Sequence, residues 1–430
     1  MTSPSSSAPV PTRDRAIDLV RALCIIGVVV LHSLMAGVTL GPEGPVFANA
    51  GETGFWLVPV SWLLQVMPLF FVIGGFSGLS GLRAARRRGG SAAAFAASRV
   101  QRLLIPAVAA VGTAGMLLTL LRDAGVGDDL VEMAGYRFGQ PLWFLGVFLL
   151  CQGLLPVMVH LHERAPLRTL GLLAAAALAV DVVRESSGIP AIGFLNLAFV
   201  WLALQQLGFL LADGRIDALP VRTRIAAAAG ALALLIASFA SGVHSPDLVA
   251  NINPPTTALL LVGVVHTAAF SLLRPRLSAL AARPRADAFI SFVSARAMTI
   301  YLWHMPVVLT LAGVTAVIGL AAGLQLPVPA SASWWLTRPL WLACVLAGTV
   351  LLAIPLARLE RIRPPRGGAS ARRASAAVII GAAGVGLLLA AGTTPTTALL
   401  AVGCWLLALQ LTLTSPVPAP APFRAAAVFR

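Results

Sequence analysis

The stretch RALCIIGVVVLH, Arg21–His32, sets an arginine and a histidine at the two ends of ten uncharged residues, inside the first long apolar run of the chain. Eleven residues of α-helix advance about 16–17 Å and rotate about 1100°, within roughly 20° of three full turns, so the two ionisable side chains share one face. Comparable apolar runs of about 20 residues, the length that crosses a hydrocarbon layer, recur from one end of the sequence to the other. An ionisable group inside such a run is expensive and by default marks a functional interior face.

The composition agrees with a membrane setting. Of 430 residues, 58% are hydrophobic and 11% charged, and the mean hydropathy is +0.89; ordinary soluble domains hold roughly 45–50% apolar residues. Spans are expected at 17–40, 55–80, 100–121, 141–161, 168–183, 192–212, 225–243, 256–273, 289–318 and 338–358, followed by a pair at 376–392 and 396–413. Backbone groups in lipid must be satisfied within the segment, so these runs are helices. The expected fold is all-α: a polytopic membrane protein with a ten-helix core (16–359) and a C-terminal two-helix hairpin (376–413). A Pro/Ser-rich lead (1–15), the Pro/Gly/Arg-rich linker ERIRPPRGGASARRAS (360–375) and a Pro/Ala-rich tail (414–430) read as unstructured. The charge-free hairpin reads as a packing or lipid-facing addition.

A net charge of +15 is what a nucleic-acid partner would call for, but its distribution excludes that partner. The chain has no lysine, and of its 31 arginines 27 fall on one side of the expected spans; only Arg122, Arg137, Arg184 and Arg338 fall on the other. This positive-inside bias places both termini in the cytoplasm, in a multi-pass protein of the plasma membrane. Arginine in place of lysine and a high alanine content fit a GC-rich bacterial source. Cys24, Cys151, Cys344 and Cys404 sit in four different apolar runs with no metal-type spacing, so neither a disulfide framework nor a metal site is expected.

Several further segments carry candidate chemistry. Arg21 reads either as a cation anchoring the span at the inner surface or as a ligand for a substrate anion. His32, past the middle of its span, reads either as a packing histidine or as an acid–base group. Phe70 and Phe71 precede Gly74-Gly75 in MPLFFVIGGFSG, a pattern of close helix packing that also lines cavities. Arg99 and Arg102, three residues apart on one helical face at the inner surface, suit phosphate oxygens, anionic headgroups or topology alone. Trp143 in GQPLWFLG is an interfacial belt residue or part of an acceptor site. Tyr301 and His304 share a face of the ninth span, with Arg296 two turns before His304, while His266 has no partner pattern and reads as structural.

Taken together these segments resemble the acyltransferase-3 family of membrane-bound bacterial O-acyltransferases, over roughly residues 13–360. Its first-helix signature D-x-x-R-x10-H is matched by Asp18, Arg21 and His32, and its R-x-x-R motif by Arg99 and Arg102. The F-F-x-x-S-G-F segment is similar to FFVIGGFSG, with Gly74 where a serine is usual, so any role of that hydroxyl is absent at this position. Trp143, Phe144 and Leu145 match W-F-L; Tyr301, Leu302 and His304 match the end of S-Y-x-x-Y-L-x-H, whose start is replaced by Ala297 and Met298.

The resemblance implies a cytoplasmic acyl-CoA co-substrate, acetyl-CoA by default, with no permanently bound cofactor and no metal. The acceptor it implies is the hydroxyl of a glycan, glycolipid or secreted metabolite. Arg99 and Arg102 would hold the donor phosphates and Arg21 would steer the thioester. His32 would serve as general base, histidine being the side chain whose unperturbed pKa of about 6.5 suits that role. Asp18, Phe70, Phe71, Trp143, Tyr301 and His304 are the candidate substrate-binding residues. The competing reading is a proton-coupled transporter or exporter with His32, His266 and His304 as a relay; it gives no reason for the Arg99/Arg102 pair or the Arg21–His32 spacing.

Overall fold

The first helix starts where the side chain of Asp14 accepts the Ile17 N–H at 3.1 Å, a side-chain cap for an otherwise orphaned donor. It is α1 (Arg15–Met35), and the computed structural model that contains it describes residues 14–42, 44–52, 56–362 and 370–413. The expected lead up to residue 13, the middle of the linker (363–369) and the tail (414–430) lie outside the described residues.

From α1 the chain enters a short antiparallel pair, β1 (Ala36–Gly41) and β2 (Gly44–Asn49), with Ala36 opposite Asn49 and Gly41 opposite Gly44. The helices then follow as α2 (Leu57–Leu64), α3 (Met67–Arg87), α4 (Ala92–Asp123), α5 (Asp128–Gly139), α6 (Trp143–Arg164), α7 (Pro166–Ser187) and α8 (Asn196–Ala212). The second half is α9 (Val221–Ala240), α10 (Ala258–Ala281), α11 (Pro284–Ser294), α12 (Ala297–Ala322), α13 (Ala332–Leu356), α14 (Ala371–Ala390) and α15 (Pro395–Thr412). Among the described residues twelve stretches are long and apolar enough to cross a membrane, the number expected, and the chain is a multi-pass, predominantly helical membrane protein.

Two expectations need correction. The first span does not run to residue 40: helix gives way to strand at Ala36, because Gly37, the β-branched Val38 and Thr39, and Gly41-Pro42 favour pairing with 44–49 over another helical turn. His32 therefore stands in the last turn of α1, farther toward the helix end than a span to residue 40 would place it. The ninth span is broken between α11 and α12, and Arg296, at the start of α12, turns back, its Nη1 donating to the Phe292 carbonyl at 3.1 Å and its guanidinium 4.1 Å over the Phe292 ring. In the C-terminal hairpin, the inward face of the pair packs on the bundle while Ile379, Leu399 and Leu400 face outward. Trp405, Ala401 and Ala377 are completely buried, and Trp405 Nε1 donates to the Gly381 carbonyl at 3.0 Å. α14 and α15 share one core with α4, α6 and α12.

The centre of the bundle is the α3–α8 contact, where two backbones meet. A Cβ built on Gly75 would lie 2.2 Å from the Gln205 carbonyl oxygen, and one built on Gly208 would lie 2.0 Å from that of Val72. Only glycine permits this approach. It brings Phe71 and Trp201 face to face at 4.4 Å. The second span is broken at Gln65, whose Nε2 donates to the Leu248 carbonyl at 2.7 Å, while Leu248 N–H donates to Ser61 Oγ at 3.0 Å. Asp181 on α7 accepts from Thr257 N and Oγ1, each at 2.8 Å, and from Asn196 Nδ2 at 2.9 Å. These bonds pin the loop between α9 and α10 against the interior.

Gly208→Leu is expected to destabilise the detergent-solubilised protein by about 1–3 kcal/mol or more through overpacking. Gly230→Leu, on a face of α9 with open space, should leave the melting temperature unchanged. Equal melting temperatures for the two variants would contradict the assigned role of the α3–α8 contact.

Candidate active site

One stripe of α1 faces the interior: Cys24, Ile25, Val28, Leu31, His32 and Met35, repeating at helical spacing along a cavity of about 450 Å³. Arg21 lies one turn before Cys24, so the stripe that carries the histidine into the cavity carries the arginine just short of it. The wall opposite is aromatic. Phe70 packs on Phe144 with ring centroids 5.2 Å apart, and Phe144 packs edge-on to Tyr301 at 5.0 Å. Trp143 also lines the cavity, stacked at 5.6 Å on Trp201 behind it. Val249, Ala250, Ile252 and Asn253, from the pinned loop, close the end away from Arg21.

His32 is half-buried on this cavity, and His304 is buried behind it. Their rings stack 5.1 Å apart and 15° from parallel. Nδ1 of His32 lies 2.9 Å from Nε2 of His304, and Nδ1 of His304 lies 2.6 Å from the Tyr301 carbonyl oxygen. A carbonyl only accepts, so His304 Nδ1 carries a hydrogen and donates. In the neutral ring His304 Nε2 is then an acceptor, and His32 Nδ1–H donates to it. The remaining nitrogen, His32 Nε2, keeps its lone pair. The Tyr301 hydroxyl is engaged elsewhere, donating to the Pro141 carbonyl at 2.9 Å.

At the arginine-rich end, Arg21 Nη1 donates to Asp18 Oδ1 at 3.1 Å and Nη2 to Ser77 Oγ at 2.5 Å. Asp18 is buried and orients Arg21 without reaching the cavity. Arg99 approaches the same face of α3: a Cβ on Gly81, one turn beyond Ser77, would lie 3.1 Å from Arg99 Nη2. The Arg99 guanidinium sits 4.7 Å over Phe95, its Nε buried without a partner. Arg102, one turn on, is exposed.

The neighbouring cations are neutralised. Arg83 bonds Asp213 at 2.5 Å, Arg86 pairs with Glu163 at 3.3 Å, and Arg274 bonds both Asp14 and Asp217. Asp213 also bonds His162; burial alone would raise its carboxyl pKa, but the bonds to Arg83 and His162 outweigh it and hold the pKa below the ordinary value. Among the described residues neither Arg99 nor Arg102 has a carboxylate partner. Both can meet an external anion without displacing an internal carboxylate.

The candidate residues thus separate into places. His32, Phe70, Trp143 and Tyr301 line the cavity; His304 and Phe71 form the layer behind it; Arg21 and Arg99 converge on α3 below it. Two residues escaped the sequence reading. Ser77 supplies a hydroxyl to Arg21 less than one turn from Gly74, where the serine of the motif is missing, and Gly74 itself faces the Phe148 ring at 3.5 Å. Trp201 is fully buried and backs both Phe71 and Trp143; a lone tryptophan in an apolar run carries no signal of this. His266 has no hydrogen-bond partner at Nδ1 and is not on the cavity. No group of His, Cys, Asp and Glu able to hold a metal occurs among the described residues.

Because His32 Nε2 is open to the cavity and both nitrogens of His304 are bonded, diethyl pyrocarbonate should modify His32 well before His304. Peptide mass spectrometry of treated membranes reads the order, and prior modification of His304 would contradict the tautomer assignment.

Compared with known proteins, residues 14–358 match the acyltransferase-domain model of the acyltransferase-3 family, four fifths of the chain. No curated protein and no solved structure matches it.

Proposed function

Because the chain belongs to the acyltransferase-3 family, we propose that it moves an acyl group from acyl-CoA on the cytoplasmic side of the membrane to a hydroxyl acceptor that enters the cavity from the other side, with His32 as general base. The observation that carries this reading is the bonded chain Tyr301 carbonyl–His304–His32, which directs one unprotonated nitrogen into the cavity on the same helix as Arg21. The charge asymmetry of the loops supports the cytoplasmic assignment of the arginine-rich end.

In this reading Arg99 and Arg102 bind the donor phosphates, since guanidinium forks match phosphate oxygens and no internal carboxylate competes. Arg21, held by Asp18 and Ser77, steers the pantetheine arm along the α1 stripe toward His32. His32 Nε2 takes the proton of the acceptor hydroxyl as its oxygen attacks the thioester carbonyl carbon. The tetrahedral intermediate collapses, the carbon–sulfur bond breaks, and the departing thiolate takes the proton from the imidazolium. The products are the ester and free CoA. His304 holds the productive tautomer throughout, and the aromatic wall limits water at the reacting carbon. The acyl group is acetyl and the acceptor a carbohydrate, glycolipid or other hydroxylated compound of the cell envelope or medium.

The test supplies labelled acetyl-CoA to membranes containing the protein and follows label transfer and CoA release. His32→Ala should lower turnover by about 10²–10⁴-fold, the share of a positioned base, with expression and insertion intact; wild-type turnover would overturn the reading. Arg99→Ala should raise the KM for acyl-CoA with kcat little changed, as expected when an interaction common to ground and transition states is lost. An unchanged KM would remove the phosphate clamp. Build-up of a solute gradient with no CoA release would favour transport instead.

A further inference from the structure

Arg338, in the second turn of α13, is a cation that the reading above does not use. It is only 6% exposed, and no carboxylate pairs with it among the described residues. Its guanidinium lies 3.7 Å over the ring of Trp334 and 4.7 Å from that of Trp341, two indoles that are themselves buried. Nε has no partner, and Nη1 donates to the carbonyl oxygen of Ala36 at 2.9 Å. A charge taken this far from water without a counter-charge is costly, and such residues in membrane segments mark function by default.

The acceptor of that one bond explains the expense. Ala36 is the C-cap of α1, and its own N–H donates to the carbonyl of His32. The carbonyl end of a helix carries the negative pole of the macrodipole and the unsatisfied acceptors, so a fixed cation there offsets both. The cage is built closely against this point: a Cβ on Gly37 would lie 2.4 Å from Cη2 of Trp334 and 3.5 Å from Nη1 of Arg338. Arg338 suits the task because a planar guanidinium stacks between two rings while donating along its edge; an ammonium does not.

We propose that Arg338 is a positioning residue, locking the last turn of α1 so that His32 Nδ1 meets His304 Nε2 and His32 Nε2 stays aimed into the cavity. It touches neither donor nor acceptor. The consequence for turnover rests on His32 being the base; the consequence for the geometry of His32 does not.

The experiment compares wild type with Arg338→Gln, which keeps a donor but no charge, and Arg338→Lys, which keeps the charge but loses the stack. Two quantities are read: the kinetics of CoA release, and the number of carbethoxy groups that His32 accepts from diethyl pyrocarbonate. Wild-type His32 offers only Nε2 and takes one group. In Arg338→Gln the bond to His304 is expected to open, so that His32 takes two and kcat falls about 100-fold, the scale of an ångström-sized misplacement, at an unchanged KM for acyl-CoA. Arg338→Lys should fall between the two, and decides the matter if the Gln variant does not fold. Single labelling of His32 in the variants, or a raised KM at unchanged kcat, overturns the proposal. Double labelling with wild-type kcat upholds the positioning role and overturns His32 as the base instead.

Discussion

The 2.9 Å bond between His32 and His304 joins residues 272 positions apart and holds together the two helices that form the back of the cavity. In an apolar interior every polar group needs a partner, because water is not there to supply one. The same requirement closes the chain from His304 to the Tyr301 carbonyl, from Tyr301 to the Pro141 carbonyl and from Arg338 to the end of α1. Each bond satisfies a buried group and at the same time fixes where a functional side chain points. Positioning and solvation are one problem in this protein.

Packing determines how near these elements come. Where backbones must touch, glycine appears, at Gly75 and Gly208 between α3 and α8. Where space must remain, aromatic rings hold it open: Phe70, Phe144 and Tyr301 lean on one another edge to face, and Trp201 supports Trp143 and Phe71 from behind. A wall of interlocked rings changes shape little when a ligand arrives. The hairpin α14–α15 extends this scaffold beyond the family-matched residues, sharing a core with α4, α6 and α12, so the wall behind His304 is completed by the last helices of the chain.

Charge is sorted along the same axis. At the arginine-rich end three cations around α3 meet carboxylates: Arg83 with Asp213, Arg86 with Glu163, Arg274 with Asp14 and Asp217. Arg99 and Arg102 do not. An anion arriving there displaces no internal partner, whereas at Arg83 it would compete with Asp213. What sets Arg99 apart from the other unpaired arginines is its half-buried place against Phe95 and the Gly81 turn of α3.

Much of this was legible in the residues themselves. Apolar runs, their number and the arginine bias mark a multi-pass helical protein, since bilayer thickness and the cost of an unpaired backbone leave few alternatives. The shared face of Arg21 and His32 follows from helical period alone. Local rules misjudged the end of α1, where glycine and β-branched residues outweigh hydropathy, and the break before α12 at residues 295–296. What only the tertiary structure decided is partnership: that His304 rather than a carboxylate stands behind His32, that Ser77 serves Arg21, and that Arg338 is caged at the end of α1. Periodicity specifies the face of a helix on which a side chain lies; which group from 50 or 300 residues away meets it there depends on how closely small residues let the helices approach, and on the need of every buried donor for an acceptor.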